Sequence, residues 1–168
     1  AIRDDLDWLG VQSDGPILRQ SEHFPVYIQA AERLAALGLL YPCFATRQEI
    51  EKLCRAKAAE LGLTVDFRQS NIEGELVSWI QEARSKASGI ALNAGAYTHT
   101  SVAIHDALRA ADVPAVEVHL SNVYKREAFR HHSFIAAAVN GVICGLGSNS
   151  YVLALEALAS LVNINKKG

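Results

Sequence analysis

The chain has 168 residues, half of them hydrophobic and a fifth charged, and a formal net charge of −2. That size fits one domain with a core needing neither disulfides nor metals, and the charge provides no broad basic surface for nucleic acid or anionic lipid. No apolar run approaches a bilayer-spanning length, and the start, Ala1-Ile2-Arg3-Asp4-Asp5-Leu6-Asp7, is too acidic for a secretory signal. The expectation is a cytoplasmic protein with a small-molecule site, no membrane and no nucleic acid. Cys43, Cys54 and Cys144 lack the paired spacing of a zinc site or disulfide framework and read as buried thiols.

In chain order, Ile2, Leu6 and Leu9 suit a short helix, Ser13-Asp14-Gly15-Pro16 marks a turn, and Tyr27, Ile28, Ala31, Leu34 and Leu37 predict a longer helix closed by Gly38. Leu39-Leu40-Tyr41-Pro42-Cys43-Phe44-Ala45 is a short apolar run read as a first strand. Ile50, Leu53, Cys54, Ala58 and Leu61 then share one helical face, with Gly62 as the stop. Thr64-Val65-Asp66-Phe67 alternates like a second strand, and Leu76, Val77, Ile80, Ala83 and Ala87 form the next helical stripe, ending near Gly89. Ile90-Ala91-Leu92, Ala115-Val116-Glu117-Val118 and Gly141-Val142-Ile143-Cys144 supply further strands, separated by helices near residues 101–111, 126–132 and 150–162. Five strands alternating with helices predict a parallel sheet covered on both faces. No low-complexity linker separates the two leading helices from the rest, so one domain spanning 1–168 is expected.

Asp66-Phe67-Arg68-Gln69-Ser70-Asn71, Glu73-Gly74-Glu75-Leu76, Asn93-Ala94-Gly95-Ala96-Tyr97-Thr98-His99-Thr100-Ser101, Glu117-Val118-His119-Leu120-Ser121-Asn122 and Phe129-Arg130-His131-His132-Ser133 follow one another in order. In these motifs the stretch from about residue 49 to 162 resembles the type II 3-dehydroquinate dehydratases. The resemblance implies a flavodoxin-like α/β/α fold with a five-stranded parallel sheet in order 2-1-3-4-5. It also implies dehydration of 3-dehydroquinate to 3-dehydroshikimate in the shikimate and quinate pathways, without metal or cofactor.

The first 48 residues are different. Asp5-Leu6-Asp7-Trp8-Leu9-Gly10, Arg19-Gln20-Ser21-Glu22, Tyr27, Ala30-Ala31-Glu32-Arg33-Leu34 and Tyr41-Pro42-Cys43-Phe44 resemble an internal stretch of glutamyl-tRNA synthetases and their glutamyl-queuosine relatives. The synthetase ATP-binding signatures are absent, and the Cys-x-Cys of some relatives reads Cys43-Phe44-Ala45, so aminoacylation is not expected. The two patterns meet between Ala45 and Glu51, and the expectation is a laboratory chimera: synthetase-like helices and a donated first strand on residues 1–48, dehydratase-like α/β structure on 49–168.

Ligand sites of open α/β sheets lie at the carboxyl ends of strands, where Asn93, His119 and Ser121 fall. By the resemblance, His119 is the general acid that protonates the departing hydroxyl, a role suited to a titrating imidazole, with a structural histidine as the alternative. Asn93 orients that acid and a water, and the backbone amides of Leu120 and Ser121 cradle the substrate carboxylate, as backbone donors can without net positive charge. His99 and Arg130 match contacts to substrate hydroxyls, and Asp106 matches a carboxylate reaching a neighbouring subunit's site; for Arg130 and Asp106 a structural salt bridge is the equal alternative. The ligand implied is a small 3-dehydroquinate-like carboxylate.

Other residues read as structural. His131 and His132 point about 100° apart on a helix and have no further ligand at metal spacing. Gly145-Leu146-Gly147 reads as a tight turn, and Trp8 and Trp79 as packing residues. The family's Asn-Gly-Pro-Asn turn, and the lid carrying its arginine and its tyrosine base, do not occur in this sequence. Tyr41 stands at close to the family tyrosine's distance from the following helix and is a speculative replacement. The expectation is therefore a dehydratase scaffold with lost or strongly impaired turnover, the alternative being an active dehydratase. The family forms trimers grouped into dodecamers, whereas the leading helices predict a monomer or small homo-oligomer here.

Overall fold

A computed structural model describes residues 2–11, 14–16, 19–37 and 46–165. The chain divides into two compact units, Ala1–Cys43 and Phe44–Gly168. In the first, α1 spans Ile2–Trp8 and α2 spans Phe24–Ala36, matching the two predicted leading helices. Pro25 lies in the first turn of α2, where a missing N–H costs nothing. The predicted first strand, Leu39 to Ala45, and with it Tyr41 and Cys43, lies outside the described residues.

The second unit opens with α3, Arg47–Glu60, whose start is locally encoded. Thr46 Oγ1 accepts from the Glu49 amide at 3.2 Å and the Thr46 amide donates to Glu49 Oε2 at 2.6 Å, a reciprocal capping box. Then come α4 (Glu73–Lys86), β1 (Ile90–Leu92), α5 (Val102–Ala111), β2 (Ala115–His119), β3 (Gly141–Cys144) and α6 (Asn149–Asn165). Glu73 and Glu75 in the first turn of α4, and Arg84 and Lys86 in its last, complement the helix dipole. Ser101 caps α5 by accepting from the Ile104 amide at 2.9 Å.

The three strands are parallel in the order β1-β2-β3, with Leu92 opposite Glu117 and His119 opposite Cys144. One face of the sheet is covered by α4 and α5 through Ile80, Ile104, Leu108 and Ala111, with Ala115 and Ile135 in the same cluster. The other is covered by α6, whose Ala154 and Leu158 meet Val116 and Val118; α3 packs on α6, joined by a Lys57–Glu156 ion pair of 3.2 Å.

This is the expected α/β sandwich with two corrections. Three strands form among the described residues, not five. Residues 64–67 alternate in polarity but join no ladder among the described residues, where the Val65 carbonyl accepts from Arg55 Nη1 at 2.9 Å; alternation supplies a face, and a strand also needs a paired neighbour. The three strands found keep the adjacency expected of the third, fourth and fifth. The second correction concerns residues 126–132, which form no α-helix: Arg130 donates to the Glu127 carbonyl and His131 to that of Ala128, the i to i+3 bonds of a 3₁₀ turn at Ala128–Arg130.

Candidate active site at the carboxyl edge of the sheet

The middle strand β2 is buried along its whole length. Its alternation sends Val116 and Val118 towards α6 and leaves Glu117 and His119 on the opposite face. A carboxylate at 1% exposure is costly unless its oxygens are engaged. Both are: Ser133 Oγ donates to Glu117, lying 3.1 Å from Oε1 and 2.9 Å from Oε2, and His119 Nε2 lies 2.6 Å from Oε1. A carboxylate only accepts, so Nε2 carries the shared proton and Nδ1 is the His119 nitrogen left for a ligand.

The His99 ring lies nearly parallel to that of His119, 13° between planes and 6.5 Å between centroids. His99 Nδ1 donates to the His132 carbonyl at 2.7 Å, because a carbonyl can only accept, which leaves Nε2 as its free ring nitrogen.

Beyond His119 the chain bends into a pair of oriented amides. The His119 carbonyl accepts from the Gly145 amide at 3.3 Å and the Leu120 carbonyl from the Gly147 amide at 3.0 Å. In a trans peptide the C=O and the next N–H point in opposite directions. The Leu120 and Ser121 amides are therefore turned away from the β3 loop, and neither donates to an acceptor among the described residues. The β3 loop reaches these carbonyls because Gly145 and Gly147 adopt φ of 89° and 58°; a Cβ at Gly145 would also stand 3.0 Å from Asn122 Cβ. Such a pair of free amides suits a carboxylate.

Asn93 follows β1, the strand beside β2, and its Oδ1 accepts from the Gly95 amide at 3.1 Å, leaving the amide NH₂ to donate. Tyr151, in the first turn of α6, hydrogen bonds with Asn93; burial pushes its hydroxyl above the ordinary tyrosine value and the Asn93 bond pulls it partly back. Arg130 is engaged by a structural ion pair, Nε to Glu127 Oε2 at 2.8 Å, and its guanidinium lies 5.1 Å from the Phe129 ring centre. Asp106 is exposed on α5 and makes no ion pair or hydrogen bond among the described residues. Tyr41 lies outside them.

The structure thus joins His99, His119, Leu120 and Ser121, with Asn93 on the neighbouring strand end. Sequence reasoning passed over Glu117, Ser133 and Tyr151 as functional groups. Glu117 left a signal, a charge inside the apolar run Ala115-Val116-Glu117-Val118; Ser133 left none beyond its motif, being 16 residues from its partner. Among the described residues no group of three or more His, Cys, Asp or Glu side chains could hold a metal ion, and no helix is long and apolar enough to cross a membrane.

A family profile described as dehydroquinase class II matches residues 41–159. The chain belongs to the class II dehydroquinase family. It is 61% identical over 116 residues to the 3-dehydroquinate dehydratase of Rhizobium johnstonii, covering 69% of this chain and 80% of that protein. It is 52% identical over 144 residues to the enzyme of that name from Sinorhizobium medicae, covering 84% and 97%. The crystal structure of the type II dehydroquinase from Propionibacterium acnes aligns with a TM-score of 0.67 at 39% identity, covering 70% of this chain and 86% of that one. The class II dehydroquinase match thus takes in the whole edge just described, from Asn93 to Tyr151, and begins at Tyr41, ahead of the expected join.

Proposed function

We propose that the chain binds 3-dehydroquinate by its carboxylate at the Leu120 and Ser121 amides and dehydrates it to 3-dehydroshikimate slowly. The observation that carries this reading is the placement of the Glu117-held His119 directly before two amides without acceptors among the described residues. In the reaction a proton next to the ketone is removed, and its C–H electron pair becomes the new C=C bond. The hydroxyl leaves as water with the Nδ1 proton of the His119 imidazolium, whose Nε2–H stays hydrogen bonded to Glu117. Asn93 orients the bound water and the acid through the NH₂ proton not shared with Tyr151, and His99 Nε2 meets a substrate hydroxyl. Arg130 reaches the substrate only by exchanging its Glu127 partner, and Asp106 acts across subunits.

The acid side is supplied by described residues; the base is not among them. The family's Asn-Gly-Pro-Asn turn and the lid with its tyrosine base do not occur in the sequence, and general base catalysis is worth about 10²–10⁴-fold, so the reading expects impaired turnover. A second reading, full activity with Tyr41 as the base, is favoured by alignment to 97% of the length of the Sinorhizobium medicae enzyme. The further reading of residues 1–48 as a synthetase-derived segment joined in the laboratory near residues 45–51 rests on the motifs there, and the family match, which already begins at Tyr41, stands against it. The reading carries with it a cytoplasmic location, no nucleic-acid partner and no cofactor.

The test is a titration of ¹⁵N-labelled protein with 3-dehydroquinate. Saturable shifts are expected at the Leu120 and Ser121 amides and the His119 ring, and should be absent for a ligand lacking the carboxylate. Shifts confined to other residues, or none at millimolar ligand, refute the assignment.

A further inference from the structure

We infer that Ser133 is a positioning residue for His119, acting through Glu117 to fix which ring nitrogen meets the substrate. The inference rests on the proposed role of His119 as the proton donor and adds to it the device that holds the ring.

A serine hydroxyl has one proton and two lone pairs. Ser133 Oγ accepts from the Ala136 amide at 3.0 Å, so its single proton is aimed at Glu117, shared between oxygens at 2.9 and 3.1 Å. Glu117 Oε1 takes the His119 Nε2 proton as well, whereas Oε2 has Ser133 as its only donor among the described residues. The terminal torsion of a glutamate is broad, and its plane is set by its hydrogen bonds rather than by a rotamer well. Without Ser133 one buried oxygen is orphaned, and the carboxylate can turn to recover a partner, taking the His119 bond with it.

Ser133 is itself held from several directions. The His132 carbonyl accepts from His99 Nδ1 at 2.7 Å, the Phe134 amide donates to the Thr98 carbonyl at 2.9 Å, and His105 Nδ1 reaches the Phe134 carbonyl at 2.7 Å. Ile135 is fully buried in the core cluster beneath α5. Residues 132–136 are thus stitched to the loop after β1 and to α5, so the hydroxyl is presented to Glu117 by the framework and not by a freely turning loop. The same stitching places His99 beside His119, so one segment sets the position of both rings.

Losing the hydrogen-bond partner that orients a metal-ligating histidine typically costs about 10–100-fold in activity, and that range is the guide for a histidine oriented through Glu117. Ser133→Ala is therefore expected to lower kcat on 3-dehydroquinate by about 10–100-fold with KM changed by less than about threefold, because the amide cradle is untouched. Ser133→Thr, which keeps the hydroxyl, should recover most of the loss. A second readout does not need turnover: once the His119 ring has given up its Nδ1 proton, its ¹⁵N shifts should report a single Nε2–H tautomer in the unaltered chain and a mixture in Ser133→Ala. A variant that keeps the single tautomer and the original kcat overturns the inference. So does one that only loses stability while its folded fraction keeps that tautomer. If His119→Ala leaves turnover unchanged, the reading of His119 as the acid fails, and the tautomer measurement still decides whether Ser133 sets the ring.

Discussion

At the residue scale, the proposed chemistry hangs on two side chains at alternate positions of one buried strand. Glu117 is tolerated inside the sheet because Ser133 and His119 satisfy it, and His119 in turn has one nitrogen committed and one free. The placement of His119 and Asn93 at strand ends, where ligands of α/β sheets bind, was legible in the sequence. The Ser133 partnership was not, since tertiary packing alone brings it to β2 across 16 residues. Tyr151 offers a pH test. Burial disfavours its charged form and raises its pKa, so the folded chain holds that proton more tightly than the unfolded one. Its contribution to stability is present below the ordinary tyrosine value, about 10, and is lost as pH rises through the higher folded value. Following tyrosinate absorbance, one of the five tyrosines should ionise later than an exposed tyrosine, and Tyr151→Phe should remove that late step and flatten the alkaline loss of stability. A late step that persists in Tyr151→Phe assigns it to another residue.

At the element scale, α3 shows how a helix start can be encoded locally. Thr46 and Glu49 satisfy each other's amides, so the start of the helix is written within four residues and needs nothing from the chain before it. Losing an N-cap hydroxyl costs about 1 kcal/mol. Thr46→Ala is accordingly expected to lower Tm by about 2–4 °C in calorimetry, as that loss does in domains of this size; an unchanged Tm shows that the box contributes nothing. The strands at 90–92, 115–119 and 141–144 were legible because buried parallel strands read as apolar runs between helical stripes. Residues 64–67 misled because their alternation describes a face without naming a ladder partner. Residues 126–132 misled for a different reason: they carry helix-compatible residues, yet i to i+3 bonds close the turns there, and Ser133, Phe134 and Ile135 are claimed by β2, the loop after β1 and the core.

At the scale of the whole molecule, family membership rests on residues 41–159, whereas the leading helices belong to a separate compact unit. The assembly implied by the resemblance is a dodecamer, and the added mass of residues 1–38 is expected to limit this chain to a monomer or small homo-oligomer. Light scattering at micromolar concentration should report that smaller mass; a dodecamer shows that the leading segment leaves the assembly surface free. The central claim is that the acid and the carboxylate cradle are assembled while the base side is impaired. Its most direct test is 3-dehydroshikimate formation, followed by ultraviolet absorbance, in the chain and its His119→Ala and Tyr41→Phe variants. Losing base catalysis together with the lid's positioning and water exclusion predicts turnover at least about 10³-fold below that of the family's enzymes, abolished by His119→Ala and indifferent to Tyr41→Phe. Turnover at the rate of those enzymes that disappears in Tyr41→Phe contradicts the account, because a working base would then stand opposite His119.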